Sequence, residues 1–357
     1  MELKKIAVLG LGNVGTLVAT LLHQSEFEVV GIDSINRTKL PFAFEKGDVS
    51  DKKYLAKTLK KFDAVVSCLP YALNKDVVTI CHKEAVHYFD LTEDVPTSEY
   101  IKSLSKNAKS VLAPQCGLAP GFIAIAGASL ARKFSKIRSI HLRVGALPQH
   151  PKGELGYAFN WSPEGVVNEY LNDCIAIKDG EVKEIPAMQD LERIVIDGHS
   201  LEAFTTSGGL GTMCETFSGK TDELNYKTMR YPGHMALMRF YFHELLMRDD
   251  RKLAGEILVN SKPPVNDDVV YVHAAVEGYK KKRGGRDELC RDEFVESYYP
   301  QEIDGTMWRA ISWTTACSVC ATIELVASGK LPQKGFVKQE DINLDDFLAT
   351  KNGGYYS

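Results

Sequence analysis

Along the first 115 residues the apolar positions gather in short, almost unbroken runs. Ile6-Ala-Val-Leu9, Val29-Val-Gly-Ile32, Ala64-Val-Val-Ser-Cys-Leu69 and Ser110-Val-Leu-Ala113 lack polar alternation, as expected of strands covered on both faces. His87-Tyr-Phe-Asp-Leu91 reads as a further strand and residues 42–48 as a shorter one, while 16–23, 52–61, 75–84 and 98–108 between them read as helices. This alternation predicts a doubly wound parallel sheet of the Rossmann type. Ligands of such sheets lie beyond the carboxyl ends of the strands, which singles out Pro70, Tyr71, Asn74, Asp90 and the loop 115–122.

From about Gly121 the pattern changes. Residues 123–134 read as a linking helix and 137–146 as an alternating strand, with His141 and Arg143 on one face and Leu142 and Val144 on the other. Strand-like stretches follow at 193–196, 203–206 and 224–229. Two more, 269–279 and 289–299, flank Lys280-Lys-Lys-Arg-Gly-Gly-Arg286 and read as a long hairpin with a basic, solvated tip. The second domain is therefore expected to be α+β with a largely antiparallel sheet, a module for substrate binding and dimerisation, and the whole chain α/β.

The most specific signal lies between the first two strands. Gly10-x-Gly12-x-x-Gly15 follows an apolar run and opens a helix, and a second run ends in Asp33, 18 residues past Gly15. Gly10 suits the tight turn, Gly12 a close approach of the backbone to a pyrophosphate, and Gly15 the packing of helix on strand. Asn13 and Val14 then offer helix N-terminal N–H groups to phosphate. Asp33 is placed to accept from a ribose 2′-hydroxyl, which favours NAD, with NADP as the alternative because Arg37 follows four residues later. Cys68, Leu69, Pro70, Asn74 and Gly117, just past later strands, complete the expected cofactor-binding set.

Composition narrows the function classes. A chain of 357 residues with 44% hydrophobic and 25% charged residues holds two ordinary domains, and its net charge of −4 gives no reason to expect nucleic acid or an anionic membrane as partner. No apolar run in the sequence approaches the roughly 20 residues of a membrane span. The first residues lack the long apolar region of a signal peptide, so the expected compartment is the cytoplasm. Eight cysteines stand without framework spacing, as expected of reduced thiols. Cys317-x-x-Cys320 is the one close pair; it lies in an apolar segment with no further ligands nearby, so no metal is expected.

Taken together, Gly10 to Gly15, Cys68-Leu-Pro-Tyr71, Asp90-Leu91, Gly117-Leu-Ala-Pro-Gly121, Asn160-Trp-Ser-Pro-Glu-Gly165, Thr206-Ser-Gly-Gly209 and Tyr226-Lys-Thr-Met-Arg-Tyr-Pro-Gly-His234 resemble the saccharopine dehydrogenase family, in family order. Within it the chain is most similar to lysine 6-dehydrogenases and saccharopine-dehydrogenase-like proteins. The resemblance implies NAD(P)-linked oxidation of a carbon bearing an amine, or its reverse, in a homodimer acting on a small amino acid or amine. It also implies that residues 306–331 return to the nucleotide domain, giving domains of 1–122 with 306–357, and 123–305. The tail from Leu331 onward is longer than the lysine enzymes suggest.

Oxidising a carbon–nitrogen bond requires loss of a proton from the ammonium, transfer of hydride and attack of water on the imine, so a base is needed. His234 is the first candidate, since histidine alone titrates near neutrality unperturbed; packing behind a glycine turn explains it equally. Glu164 is the second, with an exposed acid at a helix start as the plain alternative. Arg230 suits bidentate capture of a substrate carboxylate, whereas Lys227, three residues earlier on a strand, points to the opposite side. Trp161 can wall an aliphatic chain or simply pack. Tyr71, Asp90, Gly208 and Gly209 complete the substrate set, although glycines in turns are common without a ligand. Two rival functions stand beside this one: an aldehyde dehydrogenase using Cys116 as nucleophile, and a catalytically silent NAD-binding scaffold or sensor.

Overall fold

The computed structural model describes residues 3–281 and 285–357 and falls into two compact units, Met1–Ile125 with Ser312–Ser357, and Ala126–Ile311. In the first unit β1 (Lys5–Leu9), α1 (Asn13–Gln24), β2 (Glu28–Asp33), β3 (Ala43–Lys46), α2 (Lys52–Leu59), β4 (Ala64–Ser67), α3 (Tyr71–Glu84), β5 (His87–Asp90), α4 (Val95–Leu104) and β6 (Val111–Ala113) alternate. The strands lie in the order β6-β5-β4-β1-β2-β3, every neighbouring pair parallel. The order reverses between β1 and β4, and a crevice at such a switch point is where doubly wound sheets take ligands. Both strands end there in hydrogen-bonded register, the amide of Gly10 donating to Ile32 and that of Cys68 to Leu9.

Caps set the helix starts. Asp51 accepts from the amides of Lys53 and Tyr54 ahead of α2, and Asp94 from Thr97 ahead of α4. Pro96 in the first turn of α4 needs no hydrogen bond there. This helix accordingly begins three residues before the position its apolar spacing suggests.

In the second unit, after α5 (Phe122–Ala131), come β7 (Lys136–Pro148), α6 (Pro163–Leu171), β8 (Cys174–Lys178), β9 (Glu181–Ile185), β10 (Glu192–Ile196), β11 (His199–Thr205), α7 (Met213–Phe217), β12 (Glu223–Arg230), α8 (His234–Arg239), α9 (Arg251–Ser261), β13 (Asp268–Lys281) and β14 (Asp287–Tyr298). Six strands follow the order β10-β11-β12-β7-β13-β14, with β8 and β9 attached beside β12. The sheet is mixed, because β7 and β12 run parallel with Arg143 opposite Lys227 while the other pairs are antiparallel. The β8–β9 hairpin, absent from the sequence-based expectation, turns on Asp179 and Gly180, both at positive φ. Of the basic hairpin tip, Lys282, Arg283 and Gly284 lie outside the described residues. α6, α8 and α9 supply a core with the sheet that includes Val166, Tyr170, Phe204, Met229, Met238, Phe242 and Leu258.

After the short strands β15 (Gln301–Ile303) and β16 (Thr306–Trp308), α10 (Ala310–Ala327) leads back into the first unit. By length and composition α10 could cross a bilayer, but most of it is buried as a core helix. The tail beyond Leu331 is structured: β17 (Gly335–Phe336) pairs in parallel with β6, and after α11 (Leu344–Leu348) Tyr356 stacks on Phe122 with ring centroids 3.9 Å apart.

Candidate active site

The glycine turn of the first unit is built by exclusion. Gly10 adopts φ +82°, and a Cβ on Gly15 would lie 1.8 Å from the Gly10 carbonyl oxygen. Gly12 differs: a Cβ there would meet nothing within 4 Å, so open space faces this turn. Gly12 caps α1 without a side-chain hydrogen bond, leaving the helix start at Asn13 and Val14 to main-chain donors. That open cradle before an uncapped helix fits a dinucleotide pyrophosphate. Asp33 closes the turn, its carboxylate accepting from the amides of Leu11 and Ile35 at 2.8 Å each, with Arg37 at 3.4 Å. Burial opposes its charge, but these donors outweigh burial and hold its pKa below the usual range.

Cys68 and Leu69 pack directly on Gly10. Burial pushes the Cys68 thiol up to about 12. Pro70 caps α3, Tyr71 is its first residue, and Asn74 is buried, accepting from Ser67 at 2.7 Å. Gly117 pairs with Gly121 in a tight loop where a Cβ on Gly121 would strike the Gly117 carbonyl oxygen at 1.9 Å.

Two expectations in this unit need correction. Asp90 is fully buried and accepts from Tyr88 Oη and the amides of Thr92 and Gln115, so it clamps the loop after β6 rather than presenting a carboxylate to substrate. Its burial raises its pKa to about 6. Cys116 is equally buried, its thiol donating to the Ala113 carbonyl at 3.1 Å and accepting from Gln339 at 3.2 Å. Burial, with Asp90 nearby, pushes its thiol well up, which removes it as a nucleophile.

The second unit gathers Arg230, at the end of β12, with Tyr157, Trp161, Glu169, Tyr170 and His234. The buried Arg230 guanidinium donates through Nε to Tyr170 Oη at 2.8 Å and through Nη1 to the Met229 carbonyl at 2.9 Å. Its carbon lies 4.8 Å from the Tyr157 ring centroid and 5.7 Å from that of Tyr170. Nη2 forms a buried ion pair with Glu169 Oε2 at 3.9 Å, beyond hydrogen-bond reach. Burial disfavours the charge, yet Tyr170, Tyr157 and Glu169 raise the pKa, so the cation persists. Trp161 Nε1 donates to Tyr157 Oη at 3.1 Å.

His234 sits inside this cluster as a neutral group. Burial and the Arg230 charge lower its pKa to about 3, and both ring nitrogens are engaged, Nε2 with Tyr170 Oη and Nδ1 with the Leu155 carbonyl. A base must take up a proton near neutral pH, so the proton-transfer role expected of His234 does not fit its surroundings. Glu164 is exposed in the first turn of α6. Gly208 and Gly209 have conformational and packing reasons of their own: Gly208 adopts φ +89°, and a Cβ on Gly209 would enter the Tyr226 ring at 2.3 Å. Lys227 is spent on Glu192 and the Asp190 carbonyl, and Glu192 also takes Arg143. Sequence reasoning missed Tyr157, Glu169 and Tyr170. For Glu169 and Tyr170 the signal was their helical spacing with Val166 and Val167 on α6, where a tyrosine reads as core; Tyr157 lies before that helix and had no such signal.

A parallel sheet with a glycine turn at its switch point defines a Rossmann-type dinucleotide-binding unit, and the second unit holds a buried arginine. Residues 6–113 match the family model of the saccharopine dehydrogenase NADP binding domain and residues 117–350 that of the saccharopine dehydrogenase C-terminal domain. The chain belongs to the saccharopine dehydrogenase family. It is 28% identical over 151 residues to the saccharopine dehydrogenase [NADP(+), L-glutamate-forming] of Saccharomyces cerevisiae, covering 39% of this chain and 32% of that protein. Mouse mitochondrial alpha-aminoadipic semialdehyde synthase is 25% identical over 198 residues, 51% of this chain and 21% of the relative. The chain thus matches less than half the length of either relative. In structure, the apo L-Glu-forming saccharopine dehydrogenase of Saccharomyces cerevisiae has the same fold, with TM-score 0.75 at 16% identity over 99% of this chain and 98% of that one. The cofactor is a nicotinamide dinucleotide; the family model favours NADP, with NAD the alternative, where Asp33 alone suggested NAD.

Proposed function

We propose that this protein is an NAD(P)-dependent oxidoreductase acting on the carbon–nitrogen bond of an amino acid, with Arg230 holding a substrate carboxylate. The observation that carries this reading is the Nη2 edge of a buried, charged guanidinium whose other hydrogen bonds go to Tyr170 and Met229 and whose closest acid is 3.9 Å away. A buried cation whose Nη2 meets Glu169 only as an ion pair at 3.9 Å, without a hydrogen bond, is complementary to a planar anion. The rings of Tyr157 and Tyr170 lie over it, and shielding from water strengthens that attraction. A bound nicotinamide supplies the hydride acceptor or donor. Gly10, Gly12, Asn13, Val14 and Asp33 are the residues that would hold the dinucleotide. Glu164 is the remaining acid–base candidate, since the His234 imidazole is kept neutral.

The relatives, saccharopine dehydrogenases among them, support saccharopine as the first substrate to test, and the His234-containing segment supports L-lysine as the second. The test is the absorbance of the reduced nicotinamide with each compound in both directions, for NAD and NADP in parallel. Turnover with either amino acid supports the reading. Activity only on simple alcohols or aldehydes would sink it.

A further inference from the structure

Each proton in the Arg230 cluster has one place to be. The Leu155 carbonyl can only accept, so His234 carries its proton on Nδ1 and donates it across 2.9 Å. Nε2 is then a bare acceptor, and the Tyr170 hydroxyl, 2.9 Å away, must donate to it. That leaves the Tyr170 oxygen to accept the Nε–H of Arg230 at 2.8 Å. The three bonds run one way, from guanidinium to main-chain carbonyl. Reversing any member would set two donors or two acceptors against each other. The ring of Phe204 stacked on His234 and the edge of Tyr157 at 5.2 Å hold the imidazole in plane for this chain of bonds.

We propose that Tyr170 is a positioning residue that fixes the rotation of the Arg230 guanidinium and so presents its Nη2 edge to a substrate carboxylate. The proposal rests on the reading of Arg230 as the carboxylate anchor. Tyr170 grips Nε, the Met229 carbonyl grips Nη1, and the Tyr157 ring covers one face. A planar group held at these three places keeps little torsional freedom. Little side-chain entropy then remains to be lost when an anion arrives, and pre-organisation of that kind is worth more affinity than an added contact. Tyr170 lies on α6 and Arg230 on β12, 60 residues apart, so the bond also sets the distance between helix and sheet at this point. His234 serves the same end from behind, by aligning the Tyr170 hydroxyl.

The test uses the full chain with ¹⁵N-labelled histidine and arginine. In the wild type, His234 should show the neutral Nδ1–H tautomer at every pH from weakly acidic to alkaline, and the Arg230 Nε–H should be protected from exchange. In Tyr170→Phe the His234 Nε2 resonance should move toward that of an unbonded imidazole nitrogen, and Arg230 Nε–H exchange should accelerate about tenfold or more, as expected for one lost hydrogen bond to a charged group. The KM of a carboxylate-bearing substrate should rise by a similar factor with kcat little changed. A proton on Nε2 of His234 in the wild type, or unchanged Arg230 Nε–H exchange in Tyr170→Phe, overturns the proposal. If Tyr170→Phe fails to fold, the wild-type tautomer and Arg230 protection decide alone. If the relay behaves as expected while Arg230→Ala leaves the same KM unchanged, the anchor reading falls and the hydrogen-bond order stands.

Discussion

Gly10 and Gly15 touch through the turn between β1 and α1: a side chain on Gly15 would collide with the Gly10 carbonyl oxygen at 1.8 Å and with Cβ of Cys68 at 3.1 Å. The helix can approach the sheet this closely only because both positions lack a side chain. Gly12 between them faces open space, so no contact within the chain requires a glycine there.

The two glycines should therefore fail in different ways. Gly15→Ala is expected to lower stability by about 1–3 kcal/mol through overpacking, with loss of cofactor binding as a consequence. Gly12→Ala, at φ −70°, should leave thermal unfolding unchanged and weaken dinucleotide binding by about tenfold or more. Thermal melts paired with fluorescence titration of NADPH separate the two. Unaltered binding by the Gly12 variant would mean that the turn does not face a pyrophosphate.

Cofactor choice should turn on Asp33 and Arg37. The Asp33 carboxylate would repel a 2′-phosphate, while Arg37, now directed at Asp33 across 3.4 Å with its Nε unpartnered, is the nearby cation able to receive one. Asp33→Ser should raise NADPH affinity relative to NADH by about tenfold, and Arg37→Ala should lower it. Equal NADPH/NADH ratios in all three proteins would place the discrimination elsewhere.

Much of the first unit was legible because parallel strands buried on both faces leave unbroken apolar runs, and because a glycine turn has steric reasons visible in spacing alone. Boundaries slipped where a polar cap outside the apolar pattern decides the start, as Asp94 does for α4. The β8–β9 hairpin escaped notice because β9 is largely exposed and rich in Glu and Lys, although the apolar run of β8 and Asp179-Gly180 were usable signals, the turn pair repeated at Asp197-Gly198 and Asp304-Gly305. Arg230 and His234 stood out as polar residues around a Pro-Gly turn. Their roles did not, since the neutrality of His234 depends on burial and on a charge four residues away in sequence but packed against the same Tyr170. Asp90 was misplaced for a related reason: a strand-end carboxylate can face the crevice or fold back onto its own loop, and spacing does not distinguish the two.

Arg230 should be sensitive to shape as well as charge. Arg230→Ala is expected to weaken binding of an amino-acid substrate by about 2–5 kcal/mol, the range for removing one partner of a buried charge pair, while dinucleotide binding stays intact. Arg230→Lys should recover little, because an ammonium cannot take the Tyr170, Met229 and carboxylate bonds together. Steady-state KM values for both variants give the answer. A lysine variant with near wild-type KM would reduce Arg230 to a point charge.

Stability should depend on pH in two opposed ways. His234 has its pKa lowered from 6.5 to about 3, first by burial and then by Arg230. Between those values the unfolded chain binds more protons than the folded one, so His234 makes the fold gain stability as pH rises from about 3 to 6.5, by on the order of 4–5 kcal/mol. Asp90 has its pKa raised from 3.8 to about 6 by burial. There the folded chain binds the extra proton, so this residue makes stability fall as pH rises from 3.8 to about 6, by on the order of 3 kcal/mol. Denaturant unfolding of the wild type between pH 4 and 6 should thus show only a shallow net slope from this pair. Asp90→Asn keeps an acceptor for the Thr92 and Gln115 amides and should steepen the rise with pH, whereas His234→Gln should abolish the rise and expose the fall. The rate profile supplies the independent check: with His234 neutral throughout, its Gln variant should keep the acid limb of the wild-type profile, and Glu164→Gln should lose it. Disappearance of that limb in the His234 variant would restore the imidazole as the base and remove it from the positioning relay.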